Sequence, residues 1–382
     1  MLRFLTAGES HGPALVTIVE GLPAGIEVGV AGIAAELARR RLGHGRGRRM
    51  DIEEDRVEIL GGVRFGRTLG SPVAVVVHNT EWPRWRDEMA IEPGATERPL
   101  RSPRPGHADL PGMLKYDTRD ARDILERASA RETAARTVAG HLAKQVLEAI
   151  GVSVVSHVVA IGGVKASGVR PGPADMAAVD ASPVRTFDGE AEVRMVAAID
   201  AAHDARDTVG GVVEVLAYGV PAGVGSHVQW DRRLDSALAA AVMSIPAIKA
   251  VEFGDGWAGA GVPGSQGHDE IDFGSEGFTR RTERSGGIEG GMSTGATLRL
   301  RAAMKPLSTL MRPLATVDVV TKEPTVAFRE RSDVCAVPAT AVVAEQMVAW
   351  VLAAELMRLY GGDTIAAVRL ADAAHRSRLA GF

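Results

Sequence analysis

The sequence contains one cysteine, Cys335, which excludes an internal disulfide and any multi-cysteine metal site, and no metal site is read elsewhere. Lysine is scarce, six among 44 basic residues, so arginine carries most of the positive charge. Aromatic residues make up only 4% of the chain, too few to supply the stacking surfaces of a single-strand nucleic-acid binder. The net charge of −4 gives no basic field over the whole molecule. No run reads as apolar and long enough to span a bilayer. The N-terminus reaches a polar loop by residue 8, before a signal-peptide core could form. A cytoplasmic protein without membrane attachment is expected. What is present is 382 residues, 46% of them hydrophobic, enough for a sizeable core in one domain spanning 1–382 or two intertwined halves.

The stretch that organises the chain is Gly8-Glu9-Ser10-His11-Gly12. It lies between a short apolar run (Leu2, Phe4, Leu5) and a second one at 14–19, which places it in a loop between two strands. A carboxylate, a hydroxyl and an imidazole within three residues suit proton transfer to a bound ligand. The stretch also matches G-x-S-x-G, but a nucleophile elbow needs a sheet already under way, and only seven residues precede Gly8. A helix is expected over about 31–42, with Ile33 and Leu37 on one face. It runs into Arg39–Arg49, where six arginines are interleaved by Gly43, Gly45 and Gly47. Such a loop can fold over an anion, because guanidinium grips phosphate and carboxylate with two parallel bonds. A nucleic-acid arm is the alternative. The isolation of the cluster and its lack of interleaved aromatics favour a small anionic ligand.

Strands are expected at 56–60 and 72–78. Residues 80–112, rich in Pro, Trp and Arg without periodicity, read as a functional loop or lid. Within it His107 follows a Pro-Gly turn, with Asp109 placed to orient its ring. Ser129-Ala-Arg-Glu132 fits a capping box at the head of a helix to about 149, where free N–H groups beside Arg127 and Arg131 could seat an anion. The second half echoes the first: Gly21-Leu-Pro-Ala-Gly25 and Gly219-Val-Pro-Ala-Gly223 each close an apolar strand and precede a helix. An internal duplication follows, with halves of roughly 1–200 and 201–382. Residues 286–295 form a glycine-rich loop able to wrap a flat or anionic ligand. A last helix is expected from Pro338 to Gly361. With no adjacent histidine, Cys335 reads as a packed residue rather than a nucleophile.

GESHG at 8–12, RRLGHGRG at 40–47, RPGHAD at 104–109, ERASARETA at 126–134, KPLST at 305–309 and RSDV at 331–334 together resemble the chorismate synthase family, in order and over nearly the whole chain. The resemblance implies an α+β fold, a β-α-β sandwich with helices between two antiparallel sheets, assembled as a homotetramer. It implies anti-1,4-elimination of phosphate from 5-enolpyruvylshikimate 3-phosphate to give chorismate, the last step of the shikimate pathway, with reduced FMN required. Another flavin-dependent enzyme on an anionic substrate is the rival reading, and a nucleic-acid-binding protein using Arg39–Arg49 a more distant one. By resemblance His11 protonates the departing phosphate, His107 donates to the flavin near N1 and O2, and Asp333 assists proton removal at C6 through flavin N5. Ser10, Arg40, Arg46, Arg49 and Arg131 would hold the substrate, and Arg40 and Arg46 would also meet NADPH. Flavin contacts would come from Arg127, Ala128 and Ser129, from Pro246 and Ala247, from Gly290, from Lys305, Pro306, Leu307, Ser308 and Thr309, and from Arg331. Pro246 stands where many members carry Asn or Gln, which removes any side-chain contact there. The flavin could be reduced by NADPH on the chain itself or by an external flavin reductase.

Overall fold

A computed structural model describes residues 2–47, 55–275, 277–330 and 332–382. Two antiparallel sheets enclose a layer of helices. The first sheet is built from β1 (Arg3–Ala7), β2 (Ala14–Glu20), β3 (Val57–Gly61) and β4 (Val73–His78), in spatial order β1-β2-β4-β3. Its strands alternate as a half-buried sheet should. Leu15, Thr17 and Val19 of β2 and Val73, Val75 and Val77 of β4 point inward, while Leu5 and Ile18 lie on the open face. Against the inner face pack α1 (Val30–Arg41) and α2 (Thr133–Glu148); Thr17 Oγ1 donates to the Ala135 carbonyl of α2 at 3.0 Å.

The second sheet contains β5 (Ser153–Ile161), β6 (Val164–Lys165), β7 (Gly211–Tyr218), β8 (Ile248–Phe253) and β9 (Leu298–Met304), in order β8-β9-β7-β5-β6. Its inner face carries Val213, Val215 and Ala217 opposite Leu298, Leu300 and Ala302. On it lie α3 (Leu234–Met243) and α4 (Val337–Tyr360). Helix α4 also packs on α2, so it is the central member of the helical layer. The last helix, α5 (Ile365–Ala380), is capped by Thr364, whose Oγ1 accepts from Ala367 N at 3.2 Å.

This arrangement is the expected sandwich of helices between antiparallel sheets. Two expectations need correction. Helix α4 is long and apolar enough to cross a membrane, yet 94% of its most apolar window is buried inside the protein, so its composition reflects a position between two sheets. The capping box at Ser129 is half formed: Ser129 Oγ accepts from Arg131 N at 3.3 Å, but Glu132 turns to Thr6 and Arg136, and a short 3-10 turn (Ala130–Glu132) precedes α2. The two echoing turns do share a backbone form, since Gly21, Gly25, Gly219 and Gly223 all have positive φ. The sheets themselves draw on residues 3–78 and 153–304.

Candidate active site

The β1–β2 loop places Ser10 and His11 against the segment that leads into α2. The tight entry needs Gly8, whose φ is +103° and where a Cβ would fall 2.3 Å from the Ala14 carbonyl. Ser10 N donates to the Glu126 carbonyl at 2.9 Å. His11 N donates to Glu126 Oε2 at 2.8 Å, and His11 Nδ1 donates to Glu126 Oε1 at 2.8 Å. Both side chains are buried. Burial pushes the Glu126 carboxyl up, but the bonds from His11 and Arg122 outweigh it and hold it below the usual range. Trp85, from a short helix at Trp82–Trp85 in the Pro/Trp-rich segment, stacks on the His11 ring with centroids 3.8 Å apart.

A second histidine is built the same way. His107 Nδ1 donates to Asp109 Oδ1, and Asp109 is fully buried. Arg104 clamps the same carboxylate through Nε at 2.8 Å and reaches Thr309 Oγ1 with Nη1 at 2.8 Å. Burial raises the Asp109 pKa, yet the bonds from His107 and Arg104 win and bring it to about 2. In each pair a carboxylate held by an arginine fixes Nδ1, so proton exchange with a bound group goes through Nε2.

The arginine loop folds onto the segment before α4. Arg46 Nη1 lies 2.9 Å from Asp333 Oδ2, Gly47 N donates to Asp333 Oδ1 at 2.7 Å, and Val334 N donates to the Gly45 carbonyl at 2.8 Å. The glycines between the arginines permit this: a Cβ on Gly45 would come within 2.6 Å of Ile199. Arg40, Arg41 and Arg131 stand 3.7, 3.9 and 3.8 Å from the single carboxylate of Asp55. Burial lowers the Arg40 pKa to about 10, so it stays charged at neutral pH. Its Nε is buried without a hydrogen-bond partner among the described residues. Such a group is costly unless a ligand completes it.

Both histidines, Arg40, Arg46, Arg131 and Asp333 face one cavity of ≈ 580 Å³, within the range of small-molecule and cofactor sites. Ser10, His11, Arg40, Arg46, His107, Ser129, Arg131, Pro246, Ala247, Leu307, Ser308, Thr309 and Asp333 line it. Lys305 stands at its edge and donates from Nζ to the Gly106 carbonyl at 2.9 Å. Burial and the neighbouring Lys249 lower its pKa. Ala247 holds φ at +70°, a strained value for alanine in a cavity wall. Arg127, Ala128, Gly290 and Pro306 do not line the cavity. Arg127 turns instead to Thr6 and the Gly8 carbonyl, and Gly290 is the tip of a hairpin (Ile288–Glu289 with Met292–Ser293). Arg49 and Arg331 lie outside the described residues.

The sequence reading missed Glu126, Arg122 and Trp85 as site residues. It also missed the start of α4, where Ala336, Ala339, Thr340 and Val343 form an apolar wall. The aperiodic Trp-Pro-Arg-Trp run was the one signal for Trp85. Ser10 is not placed as a hydrolase nucleophile: its hydroxyl accepts from Ser129 Oγ at 3.1 Å, a hydroxyl partner and not a base. The nucleic-acid reading fails too, since Arg39 is ion-paired inside and Arg40 is only 4% exposed. Cys335 is buried, its thiol pushed up to about 11 by burial, as a packing residue should be.

The sequence profile of the family described as chorismate synthase matches residues 2–357. A chorismate synthase of Salinispora tropica is 60% identical over 375 residues, covering 96% of each chain. One of Acidothermus cellulolyticus is 59% identical over 379 residues, covering 97% of each. A solved structure titled "Crystal Structure of Chorismate Synthase" superimposes with a TM-score of 0.80 at 37% identity, over 100% of this chain and 99% of that one.

Proposed function

The chain belongs to the chorismate synthase family and is a carbon–oxygen lyase acting on a phosphate ester, converting 5-enolpyruvylshikimate 3-phosphate to chorismate; from that premise we propose how its own residues divide the work. The observation that carries the proposal is the convergence of His11, His107, Asp333 and the arginine cluster on one cavity. The substrate bears a phosphate and two carboxylates. Arg40, Arg46, Arg49 and Arg131 are assigned to these anions, with the Ser10 hydroxyl beside them. His11, its Nδ1 fixed by Glu126, presents Nε2 to the departing phosphate and protonates it, because a trianion leaves poorly.

The family is flavin-dependent, and the residues present fit reduced FMN. Leu125, Ile245, Met304, Leu307 and Val343 give an apolar wall, while Ser129, Ser308 and Thr309 offer polar groups to a phosphate and ribityl chain, with Lys305 the proposed cation. Pro246 and Ala247 on the cavity wall and Arg331 complete the proposed contacts, while Arg127, Ala128, Gly290 and Pro306 stand off that wall. Reduced FMN, when bound, supplies an electron transiently and recovers it, so the reaction has no net redox change. His107 is assigned to the ring near N1 and O2, where a donor stabilises developing charge. Asp333 holds the proton released from the substrate ring carbon, kept in place by Arg46 and Gly47 N. NADPH at Arg40 and Arg46, or an external flavin reductase, would supply reducing equivalents. A cytoplasmic homotetramer of single domains with pseudo-repeated halves belongs to the same reading.

The test is anaerobic. Photoreduced FMN, protein and 5-enolpyruvylshikimate 3-phosphate should give chorismate and inorganic phosphate in equal amounts, with flavin still reduced at the end. Net flavin oxidation in step with product would sink the proposal.

A further inference from the structure

Arg122 and Glu126 join three separate segments around His11. Arg122 Nη1 donates to Glu126 Oε1 at 2.8 Å, Arg122 Nη2 donates to Glu330 Oε1 at 3.1 Å, and Arg122 Nε lies 3.6 Å from Glu88 Oε1. The guanidinium also sits over the Trp85 ring, 5.0 Å from its centroid, while Trp85 stacks on His11. The imidazole is therefore held at Nδ1 by a carboxylate and on one face by an indole. Both holders are tied to the same arginine. Glu126 is buried and accepts from the His11 backbone N–H as well as from the ring, so neither of its oxygens can be exchanged for a donor without loss.

We infer that Glu126 is a positioning residue that fixes the tautomer of His11, and that Trp85 and Arg122 hold the pair in register. In the neutral ring the proton sits on Nδ1 and Nε2 is bare. In the charged ring Nε2–H faces the cavity. Transfer to the phosphate oxygen breaks Nε2–H, forms O–H, and leaves the Nδ1–H bond to Glu126 untouched. The inference rests on His11 being the acid of the proposed reaction, but its test reads the ring directly.

Glutamine at 126 keeps the shape but not the chemistry. Its one oxygen must accept from the His11 N–H, which turns its amide N–H toward Nδ1 and moves the neutral ring's proton to Nε2. Aspartate keeps the carboxylate and shortens the reach. Solid-state 15N spectra of histidine-labelled protein, with His11→Gln for assignment, should show neutral His11 protonated on Nδ1 in the unmodified chain and in E126D, and on Nε2 in E126Q. Turnover should fall roughly 100-fold in E126Q, with KM changed by less than about threefold, and less in E126D. A merely structural glutamate predicts the reverse order, with the isosteric amide tolerated better than the shorter acid; that order would overturn the inference. So would a neutral His11 protonated on Nε2 in the unmodified chain, a measurement that needs no variant to fold. If the spectra behave as expected while the unmodified protein makes no chorismate, the reaction assignment fails and the positioning stands.

Discussion

Arg39 and Arg40 are neighbours on one helix, yet they belong to opposite kinds of charge cluster. Arg39 joins a closed network: its guanidinium meets Glu36 at 2.6 Å, Asp180 at 2.8 Å and Glu345 at 2.8 Å. Lys144 meets Glu36 and Glu345, Arg185 meets Asp180, and Ser156 Oγ donates to Glu345 at 2.6 Å. Three cations face three carboxylates. Burial raises the Glu345 pKa, but Lys144 and Arg39 outweigh it and hold the group well below the usual carboxylate range. Arg40 points the other way. There, among the described residues, Arg40, Arg41, Arg46 and Arg131 face Asp55 and Asp333, four cations against two carboxylates. The first cluster is complete without a ligand. The second lies at the cavity, where the proposed substrate would bring its anions, so the contrast is between charges held within the fold and charges set at a candidate site.

The largest effect expected is at Arg39. Arg39→Met strips a partner from three carboxylates and should lower stability by about 3–5 kcal/mol, read from urea unfolding. A loss below about 1 kcal/mol would erase the distinction. Arg40→Met should do the opposite. Substrate affinity should fall by about 10- to 150-fold, equivalent to ~1.5–3 kcal/mol for a charge-assisted bond, while the unfolding midpoint holds or rises. Acid should sharpen the contrast. Because Glu345 has a folded pKa depressed below its unfolded value of about 4.3, its stabilisation is full above that pH and drains away as pH falls. Stability should therefore drop between about pH 5 and pH 3, and by ~1 kcal/mol less in Glu345→Gln, with unfolding curves at each pH as the check. The smallest effect is a control outside both clusters: Thr364→Ala removes the α5 cap and should cost ~1 kcal/mol, leaving turnover unchanged in a steady-state assay.

The contrast between adjacent arginines was not legible in the sequence. Six arginines in eleven positions announced an anion site, but only helix geometry sends position 39 toward α4 and position 40 toward the cavity. The strands at 14–20 and 73–78 and the helix at 30–41 were legible, because their apolar periods match their burial. The motifs also led to one place: His11, His107 and Asp333 line a single cavity. Glu126 was not, since nothing local marks a carboxylate whose partner lies 115 positions away. The expectation that no run is apolar and long enough to span a bilayer missed α4, whose apolar residues face other helices and a sheet while Glu345 and Gln346 serve the buried network.

The place of α4 in the chain has a consequence for biosynthesis. The first sheet is fully synthesised by residue 78 and the second by residue 304, but the central helix of the layer between them is residues 337–360. A ribosome therefore releases both sheets, with α1, α2 and α3, before it releases the helix that packs on α2 and on the second sheet. The second sheet's inner face must be kept from self-association until α4 emerges, and the cavity, whose wall includes Ala336, Ala339, Thr340 and Val343, forms only then.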